Sequence, residues 1–456
     1  MKGVFLLHRD LRLEDNLALN LLCKACDQVV LLFVFEDDQI DPKRNKYFGH
    51  PAVQFMVESL RELDQAAKGR LLVMRGDTKA AIAKLHDAWA FDAMGFNEDY
   101  TPYARKRDRA LSKWCESKGI AVHTAKDYQL LDFDAVRTQT GNVYSVFTPF
   151  YRATAKLPTL KPVRGDGIGR MSKPPFRSEI DLDKDELFER NEHLLVRGGR
   201  SEGLKRLAKA GRLSEAKYSK SRDMVSEETT LMGPYIKFGC VSVREARSAF
   251  EKNEPLLRQL YWHDFFAYVM YSTPELISKS CNFQSNVSID WEDPKKNDAF
   301  ERWCQGRTGV PMVDAAMRSM NKSGFMHNRS RMIVASFLTK NLLIDWRLGE
   351  RYFATKLTDY DPSTNNGSWQ WAASTGADAQ PFFRTFSPYA QAKKHDSNAE
   401  YIKRWIPELA HADVKTILRW DDPKVRERAT VDYDAPIVDV KGARERFAKR
   451  YKRRRT

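Results

Sequence analysis

Four short apolar runs recur through the first 130 residues, and their spacing limits the folds open to this part of the chain. The runs are GVFLLH, VVLLFVF, RLLVM and AFDAMGF, and each is apolar on both alternating faces. Segments with helical periodicity separate them, at residues 53–67, 78–89 and 103–118. Fully buried strands that alternate with helices predict a doubly wound α/β domain with a parallel sheet over residues 1–130.

Two short motifs in this half suggest nucleotide chemistry but lack the context that it requires. His8-Arg9-Asp10-Leu11 is similar to a kinase catalytic loop, yet the asparagine that should follow, Asn16, comes one place late. The glycines of GDGIG at residues 165–169 do not have the spacing of a dinucleotide-binding loop, and no strand leads into them. We interpret the first motif as a strand end and the second as part of an interdomain linker over residues 131–200.

Amphipathic segments dominate residues 201–456, which predicts a second, all-α domain. The chain has a net charge of +15, and residues 1–200 hold only 32 of its 76 basic residues against 29 of its 61 acidic ones. The basic excess therefore lies mostly in the helical part, as is typical of nucleic-acid binders. The basic tail KRYKRRR, residues 449–455, is either a localisation signal or a solvated end.

Composition excludes several classes of protein. No apolar run reaches the length of a membrane span, and the first residues do not have the pattern of a secretion signal. Among six cysteines only Cys23 and Cys26 form a CxxC pair, without a second ligand pair nearby, so a metal site is not expected. These features predict a soluble intracellular protein, cytoplasmic or nuclear, and we expect a monomer without membrane contact.

The stretch DYDPSTNNGSWQW, residues 359–371, has the mixed composition of a functional site. It combines two carboxylates two residues apart with two asparagines, a glycine and two tryptophans. Asn365-Asn366-Gly367 is turn chemistry, because asparagine and glycine accept left-handed backbone. We therefore expect a turn there, followed by a helical run that begins with Trp369 and Trp371.

The block of residues 303–396 closely resembles the cryptochrome/photolyase family, and within it the class I-like branch that repairs cyclobutane pyrimidine dimers (CPDs) in DNA. The resemblance is carried by GRTGVPMVDAAMR, MHNRSRM, LLIDWRLGERYF and NNGSWQWAASTGADA, and weaker likeness continues to both ends. It implies an α/β antenna-type domain, a linker and a helical domain that binds FAD and DNA. It also implies light-driven repair by electron transfer from excited reduced FAD to a flipped-out dimer.

The resemblance assigns a flavin pocket residue by residue. Arg331 would pair with Asp359, Asp361 would lie against the ribityl chain and the ring, and Asn365 would lie beside flavin N5. An amide at N5 adds no second negative charge to an anionic reduced flavin. Met232-Gly233 replaces the Leu-Ser of many members. The flavin's phosphate side would be met by Tyr218, Thr229, Thr230, Leu231, Met232 and Gly233.

Three tryptophans match the positions of the family's electron relay. Trp369 would be nearest the flavin, Trp346 next, and Trp303 towards the surface. Each alone would be expected in a core, but an indole can also be oxidised and carry an electron hole outwards.

A separate set matches the family's DNA side. Trp262 and Trp371 would hold the damaged bases by stacking, which is worth roughly 1–3 kcal/mol per base and offsets base flipping. The polar and packing positions implied by the resemblance are Gln259, Asn328, Arg329, Met332, Arg384 and Gln391.

The identity of the lesion depends on the segment at residues 327–332. Relatives that repair (6-4) photoproducts have two histidines there to transfer protons, and this chain has Asn328 and Met332, which cannot. Gln259 points the other way, because it replaces the glutamate usual in CPD repair. CPD repair is the predicted activity, with (6-4) repair and a cryptochrome-type blue-light receptor as alternatives.

A second, antenna chromophore would meet the α/β domain at NEDYTPYARKRD, residues 97–108. Tyr103 and Ala104 stand where folate-binding members can have Asn and Glu, so folate is disfavoured. A deazaflavin, a flavin or no antenna remains open.

Overall fold

The first 126 residues form a five-stranded parallel sheet covered by helices, in a computed structural model that describes residues 1–165 and 167–453. The strand order is β3-β2-β1-β4-β5, with every neighbouring pair parallel. This confirms the doubly wound prediction, and the four apolar runs form the first four strands along the chain, β1 to β4. The strands are β1 (Lys2–Leu6), β2 (Gln28–Phe35), β3 (Leu71–Arg75), β4 (Ala93–Glu98) and β5 (Ala121–Lys126).

Three of the five helices of this domain begin at a residue whose side chain caps them. Asn16, Asp77 and Thr101 each accept a hydrogen bond from a backbone N–H in the first turn of the helix that follows. The three predicted helices are confirmed. The helices are α1 (Leu17–Ala25), α2 (Asp37–Ile40), α3 (His50–Ala66), α4 (Thr78–Ala88) and α5 (Pro102–Ser117).

The segment predicted as a linker lies against the α/β domain over much of its length. The backbone N–H of Ser172 donates to the carbonyl of Val29 in β2, and that of Glu179 donates to the carbonyl of Val73 in β3. The segment therefore runs along the edge of the sheet formed by β3. Helices α6 (Phe147–Thr154) and α7 (Gly167–Arg170) lie within the described part of this segment. Of the GDGIG motif, Asp166 lies outside the described residues.

In the rest of the described chain the regular elements are helices, apart from one small antiparallel pair, β6 (Val287–Ile289) with β7 (Tyr451–Arg453). Residues Phe337–Asn341 form a π-helical turn and Pro407–Leu409 a 3-10 turn. The helices are α8 (Arg200–Gly211), α9 (Glu215–Ser221), α10 (Gly233–Lys237), α11 (Val243–Phe250), α12 (Glu254–Ser272), α13 (Glu275–Ser278), α14 (Ala299–Gln305), α15 (Pro311–Ser323), α16 (Asn328–Ser336), α17 (Trp346–Lys356), α18 (Pro362–Ala373), α19 (Pro388–His395), α20 (Glu400–Trp405), α21 (Val414–Leu418), α22 (Pro423–Glu427) and α23 (Ala443–Arg450).

A buried network of four charges joins the sheet domain to the helices. Arg12 pairs with Asp127, and Arg244 of α11 pairs with both Asp127 and Asp15. Burial alone would raise the pKa of Asp127, but the two guanidinium groups hold it below its usual value. Loss of one member would leave an uncompensated buried charge, at about 3–5 kcal/mol.

None of the described helices is long and apolar enough to cross a membrane. Cys23 and Cys26 are buried free thiols. Within residues 1–165 and 167–453, no group of three His, Cys, Asp or Glu side chains is arranged to hold a metal ion.

Candidate functional site

Helix α18 carries the centre of the site, and it begins earlier than its sequence suggests. Asp361 caps it by accepting hydrogen bonds from the N–H groups of Ser363 and Thr364, both at 3.0 Å. The predicted turn at residues 365–367 is therefore wrong, because the cap and Pro362 start the helix before it. Gly367 serves close packing, since a Cβ there would lie 2.2 Å from the Phe266 ring of α12.

Asp361 is a buried carboxylate shared between the two domains. Its Oδ2 accepts hydrogen bonds from Arg9 Nη1 at 3.1 Å and from the Tyr100 hydroxyl at 2.9 Å. Burial alone would raise its pKa, but Arg9 and the nearby His263 hold the pKa below its usual value. The carboxylate is thus kept ionised in the interior.

The predicted pairing of Arg331 with Asp359 is present, with Nη2 2.8 and 3.0 Å from the two carboxylate oxygens. Asp359 also touches Gly233, the first residue of α10, because a Cβ there would lie 3.0 Å from its Oδ2. Helix α16, the turn at residues 229–233 and the start of α18 therefore converge on one half-buried ion pair.

The turn at residues 229–233 has the backbone of an anion-binding nest. Leu231 is left-handed, with φ of 53°, and Met232 follows in the right-handed helical region. Within the described chain, the N–H groups of Leu231, Met232 and Gly233 donate to no protein acceptor. Successive free N–H groups in such a turn suit a phosphate. Thr229 and Thr230 are half-buried beside them.

Lys237, one helical turn further along α10, was missed by the sequence reasoning. Its ammonium lies 3.5 Å from the centroid of the Phe238 ring and forms no ion pair within 4 Å with any carboxylate in the described chain. Burial, and then the charge of Arg9, lower its pKa to about 7. Nothing in PYIKF distinguishes such a lysine from one on the surface.

Tyr218 and Arg329 lie around Asp223. Tyr218 is on α9, where burial raises the pKa of its hydroxyl. Arg329, predicted to contact the DNA backbone, pairs with Asp223 at 2.8 Å and is only 17% exposed. Its positive charge is already partly neutralised by a protein partner.

Asn365 is held by a second residue that the sequence reasoning missed, Glu350. Its Nδ2 donates to the Glu350 backbone carbonyl at 2.9 Å and to Oε1 at 3.1 Å. Burial raises the pKa of Glu350 to about 7, against the effect of the Asn365 hydrogen bond. Because Nδ2 is engaged in this way, the amide oxygen of Asn365 is left to accept a hydrogen bond.

The tryptophans are arranged differently from the predicted relay. Trp369 is buried and packs so closely on α17 that a Cβ on Gly349 would lie 2.2 Å from its ring. The expectation that Trp303 lies towards the surface is wrong. Trp303 is fully buried, and its ring contacts Trp369 directly at 6.0 Å between centroids.

Trp346 and Trp291 offer a different path outwards. Trp346 is buried, with Nε1 donating to Asn282 at 3.3 Å. Trp291 is half-buried, and the N–H of the next residue, Glu292, donates to the carbonyl of Leu343, three residues before Trp346. Trp291 was missed because it lies in an irregular loop with no periodicity.

The residues predicted to meet the lesion or the DNA lie on α12, α16, α18 and α19 and in the loop between α18 and α19. Trp262 stacks on Phe147 at 3.7 Å and touches Phe266, the residue on which Gly367 packs. Trp371 lies one turn after Gly367 and is half-buried. The remaining residues differ in accessibility: Asn328, Gln259 and Arg384 are exposed, while Met332 and Gln391 are half-buried.

A separate cluster of polar groups occupies the carboxyl edge of the sheet, between β1 and β4, where the strand order reverses. Arg107 of α5 lies 3.1 Å from His8 Nδ1 and 2.8 Å from Asp108. Burial and Arg107 lower the pKa of His8, and burial raises that of Asp108 to about 6. Three buried atoms have no protein partner in the described chain: His8 Nε2, Glu36 Oε2 and Asp108 Oδ2.

Two family models match this chain. Residues 3–165 match the model described as DNA photolyase, and residues 256–453 match the FAD binding domain of DNA photolyase. A deoxyribodipyrimidine photo-lyase from Alkalihalophilus pseudofirmus is 35% identical, over 94% of this chain and 94% of the relative. The enzyme of the same name from a Synechococcus strain is 33% identical, over 97% and 95%.

Solved structures of photolyases are also similar to this chain. An archaeal photolyase from Sulfolobus tokodaii, described with two FAD molecules, is 36% identical with a TM-score of 0.88, over 99% of both chains. A class III photolyase from Agrobacterium tumefaciens is 29% identical with a TM-score of 0.88, over 98% of this chain and 96% of that one.

Proposed function

The chain belongs to the DNA photolyase family, and from this premise we propose that it is an FAD-dependent deoxyribodipyrimidine photolyase that repairs CPDs in DNA with light. The observation that carries the proposal is the nest at Leu231, Met232 and Gly233, with three free N–H groups beside the Arg331–Asp359 pair. A pyrophosphate is the group that such a nest would hold.

The residues around the nest fit the rest of FAD. Lys237, which is unpaired and lies within the electrostatic influence of Asp359 and Asp361, can supply a positive charge to a phosphate that would otherwise face these carboxylates. The amide oxygen of Asn365 can accept a hydrogen bond from a protonated ring nitrogen, because Glu350 holds Nδ2. Reduced FAD, when bound and excited by light, supplies the electron that splits the dimer.

The protein's own part is to bind, orient and exclude water. Trp262, held flat by Phe147, and Trp371 provide apolar walls against which a flipped dimer can stack. Asn328 offers donors and an acceptor to the base edges, and Met332 provides apolar packing. Arg384 is exposed and can contact a phosphate, whereas Arg329 would first have to weaken its pair with Asp223.

The choice of lesion follows from the absence of a proton carrier at two positions. Repair of a (6-4) photoproduct moves a hydroxyl group between bases, and neither Asn328 nor Met332 can transfer a proton near neutral pH. Splitting a CPD needs an electron out and back, without obligatory net proton transfer.

We infer that the protein acts on damaged DNA as a monomer.

The test irradiates the reduced holoprotein with two defined oligonucleotides, one with a CPD and one with a (6-4) photoproduct. Restoration of the CPD alone is expected. Restoration of the (6-4) oligonucleotide alone would overturn the choice of lesion, and restoration of neither would favour the receptor function.

The carboxyl-edge cluster supports a second chromophore, as in the Sulfolobus tokodaii photolyase described with two FAD molecules. His8 is kept neutral, accepts from Arg107 at Nδ1, and so presents Nε2–H without a partner. A flavin-type or deazaflavin ring has carbonyl acceptors for His8 Nε2–H and an N–H donor for one of the two carboxylate oxygens, that of Glu36 or that of Asp108. His8→Phe should remove this chromophore and leave one FAD per chain, as measured by absorption and chromatography of the released pigments.

A further inference from the structure

Lys340 is a buried lysine that joins three elements on the lesion side of the site. It lies in the π-helical turn Phe337–Asn341 and is only 1% exposed. Its Nζ donates to the Oγ of Ser374, the residue after α18, at 3.0 Å and to the backbone carbonyl of Arg384 at 2.8 Å. The π-helical turn, the end of α18 and the loop that follows it therefore meet at one ammonium group.

The backbone of residues 381–385 depends on this contact. Within the described chain, its other hydrogen bond is an internal one, donated by the N–H of Arg384 at 2.9 Å. The next hydrogen bond to the rest of the protein comes at Phe386, whose N–H donates to the Oγ of Ser336 at 3.3 Å. Lys340 is thus the residue that ties the backbone at Arg384 to the helical domain, while the Arg384 side chain is exposed.

The same contact extends to Trp371, the predicted wall for the damaged bases. The N–H of Ser374 donates to the carbonyl of Trp371 at 3.3 Å, and the Oγ of Ser374 accepts from Lys340. Arg384 offers a charge to a phosphate, and Trp371 offers a ring to a base. The distance between these two groups is set through a lysine that is itself buried away from the DNA.

The Lys340 ammonium has no counter-ion. No carboxylate of the described chain lies within 4 Å of it, and burial together with the charge of Arg384 lowers its pKa to about 7. An unpaired buried charge lowers the free energy of unfolding. The fold would be at least as stable with an apolar side chain at this position, so the benefit of the lysine lies in what it holds in place.

The other titratable groups around Lys340 lie on α23 and β7, because α18 has no charged side chain from Pro362 to Ala373. Helix α23 presents the ring of Phe447, whose centroid is 5.3 Å from Nζ. Tyr451 of β7, whose pKa burial raises, lies 3.4 Å from the carbonyl of Ser374. The charged residues of α23 are exposed or bond to other groups: Arg444, Glu445, Arg446, Lys449 and Arg450.

We propose that Lys340 is a positioning residue for damaged DNA, a role that rests on the proposed photolyase function. Its ammonium holds the backbone of Arg384 against the end of α18, so that Arg384 and Trp371 keep the spacing that a phosphate and a flipped base require. A phosphate bound at Arg384 brings negative charge towards Lys340 and favours the protonated lysine. Binding of the lesion therefore takes up a proton, and its affinity falls as pH rises above the pKa of Lys340.

The decisive variant is Lys340→Met, which keeps the apolar stem and removes the charge and the donors. Its melting temperature should equal or exceed that of the wild type, because the buried ammonium has no counter-ion. The affinity of the holoprotein for a CPD duplex, measured in the dark, should fall about tenfold, and that for the undamaged duplex by less than about twofold. The control is Thr339→Val, which removes a hydrogen bond to the Ala335 carbonyl within the same turn and should bind the CPD duplex as the wild type does.

The pH profile distinguishes positioning from packing. Between pH 6.5 and pH 9, the wild type should lose about fivefold more affinity for the CPD duplex than Lys340→Met does. All other titratable groups are common to the two proteins, so the difference reports on Lys340. Hydrogen exchange of the amides of residues 376–386 should be faster in Lys340→Met and unchanged in Thr339→Val.

Four outcomes would each overturn the role of Lys340. They are wild-type affinity or a wild-type pH profile in Lys340→Met, an equal loss of affinity for the undamaged duplex, an equal loss in Thr339→Val, and a loss that comes with a lower melting temperature. Preference for the CPD duplex and light-driven repair by the wild type are measured in parallel. If the wild type shows neither, the proposed function is wrong, and if it shows both, the failure concerns Lys340 alone.

Discussion

Asn365 donates both protons of its amide nitrogen to Glu350, one to the backbone carbonyl at 2.9 Å and one to the carboxyl at 3.1 Å. The orientation of the amide that would face the flavin is therefore set by a buried acid on α17. Burial places the pKa of that acid at about 7, so its charge changes near neutral pH. The site contains a titration that the sequence does not reveal.

Glu350→Gln should make stability less dependent on pH. The folded pKa, about 7, is raised from an ordinary 4.5, so the folded state holds the proton more tightly. The resulting stabilisation is complete below about pH 4.5 and is lost as pH rises through about 7, in total about 3 kcal/mol. Denaturant unfolding of both holoproteins at pH 5 and pH 8 measures this. The difference between the two pH values should shrink in Glu350→Gln and persist in Glu116→Gln, an exposed control.

Arg331→Ala should yield protein with little FAD. Its partner Asp359 would be left uncompensated against the nest, and a half-buried broken pair costs about 2 kcal/mol. The FAD content after purification measures the effect. Arg318→Ala breaks a comparable pair with Glu408 away from the site and should keep its FAD. If Arg331→Ala retained its full FAD content, Asp359 and Arg331 would not be part of the flavin pocket.

Trp369→Phe and Trp291→Phe should both impair light-driven reduction of bound oxidised FAD with an external thiol. Phenylalanine keeps the packing but is far harder to oxidise, and the hole must reach a ring that the thiol can approach. Trp303→Phe should leave photoreduction largely intact, because Trp303 is fully buried and does not end at the surface. If Trp303→Phe lost photoreduction while Trp291→Phe kept it, the relay order predicted from the sequence would be correct.

The sequence predicted most of the sheet domain, because fully buried parallel strands leave continuous apolar runs. It did not reveal β5, whose residues Ala121–Lys126 are half-polar and partly exposed at the sheet edge. The prediction of a turn at residues 365–367 was wrong because the helix cap at Asp361 outweighs the local turn preference of these residues. The burial of individual side chains could not be predicted from the sequence either. No residue spacing shows that Trp303 is buried against Trp369, or that Glu350 contacts Asn365.

Gln259→Glu should retain CPD repair, and Asn328→His alone should not confer (6-4) repair. Gln259 is exposed on α12 and bonds only its own helix, through Nε2 to the carbonyl of Pro255 at 3.1 Å, so either side chain can turn towards a base. Carboxylate and amide both accept from a thymine N–H. A single histidine at position 328 would still lack the second proton carrier, because Met332 cannot titrate. Repair yields on the two lesion oligonucleotides measure both variants. Gain of (6-4) repair by Asn328→His would show that one imidazole suffices, and loss of CPD repair in Gln259→Glu would show that the lesion pocket does not tolerate a negative charge there.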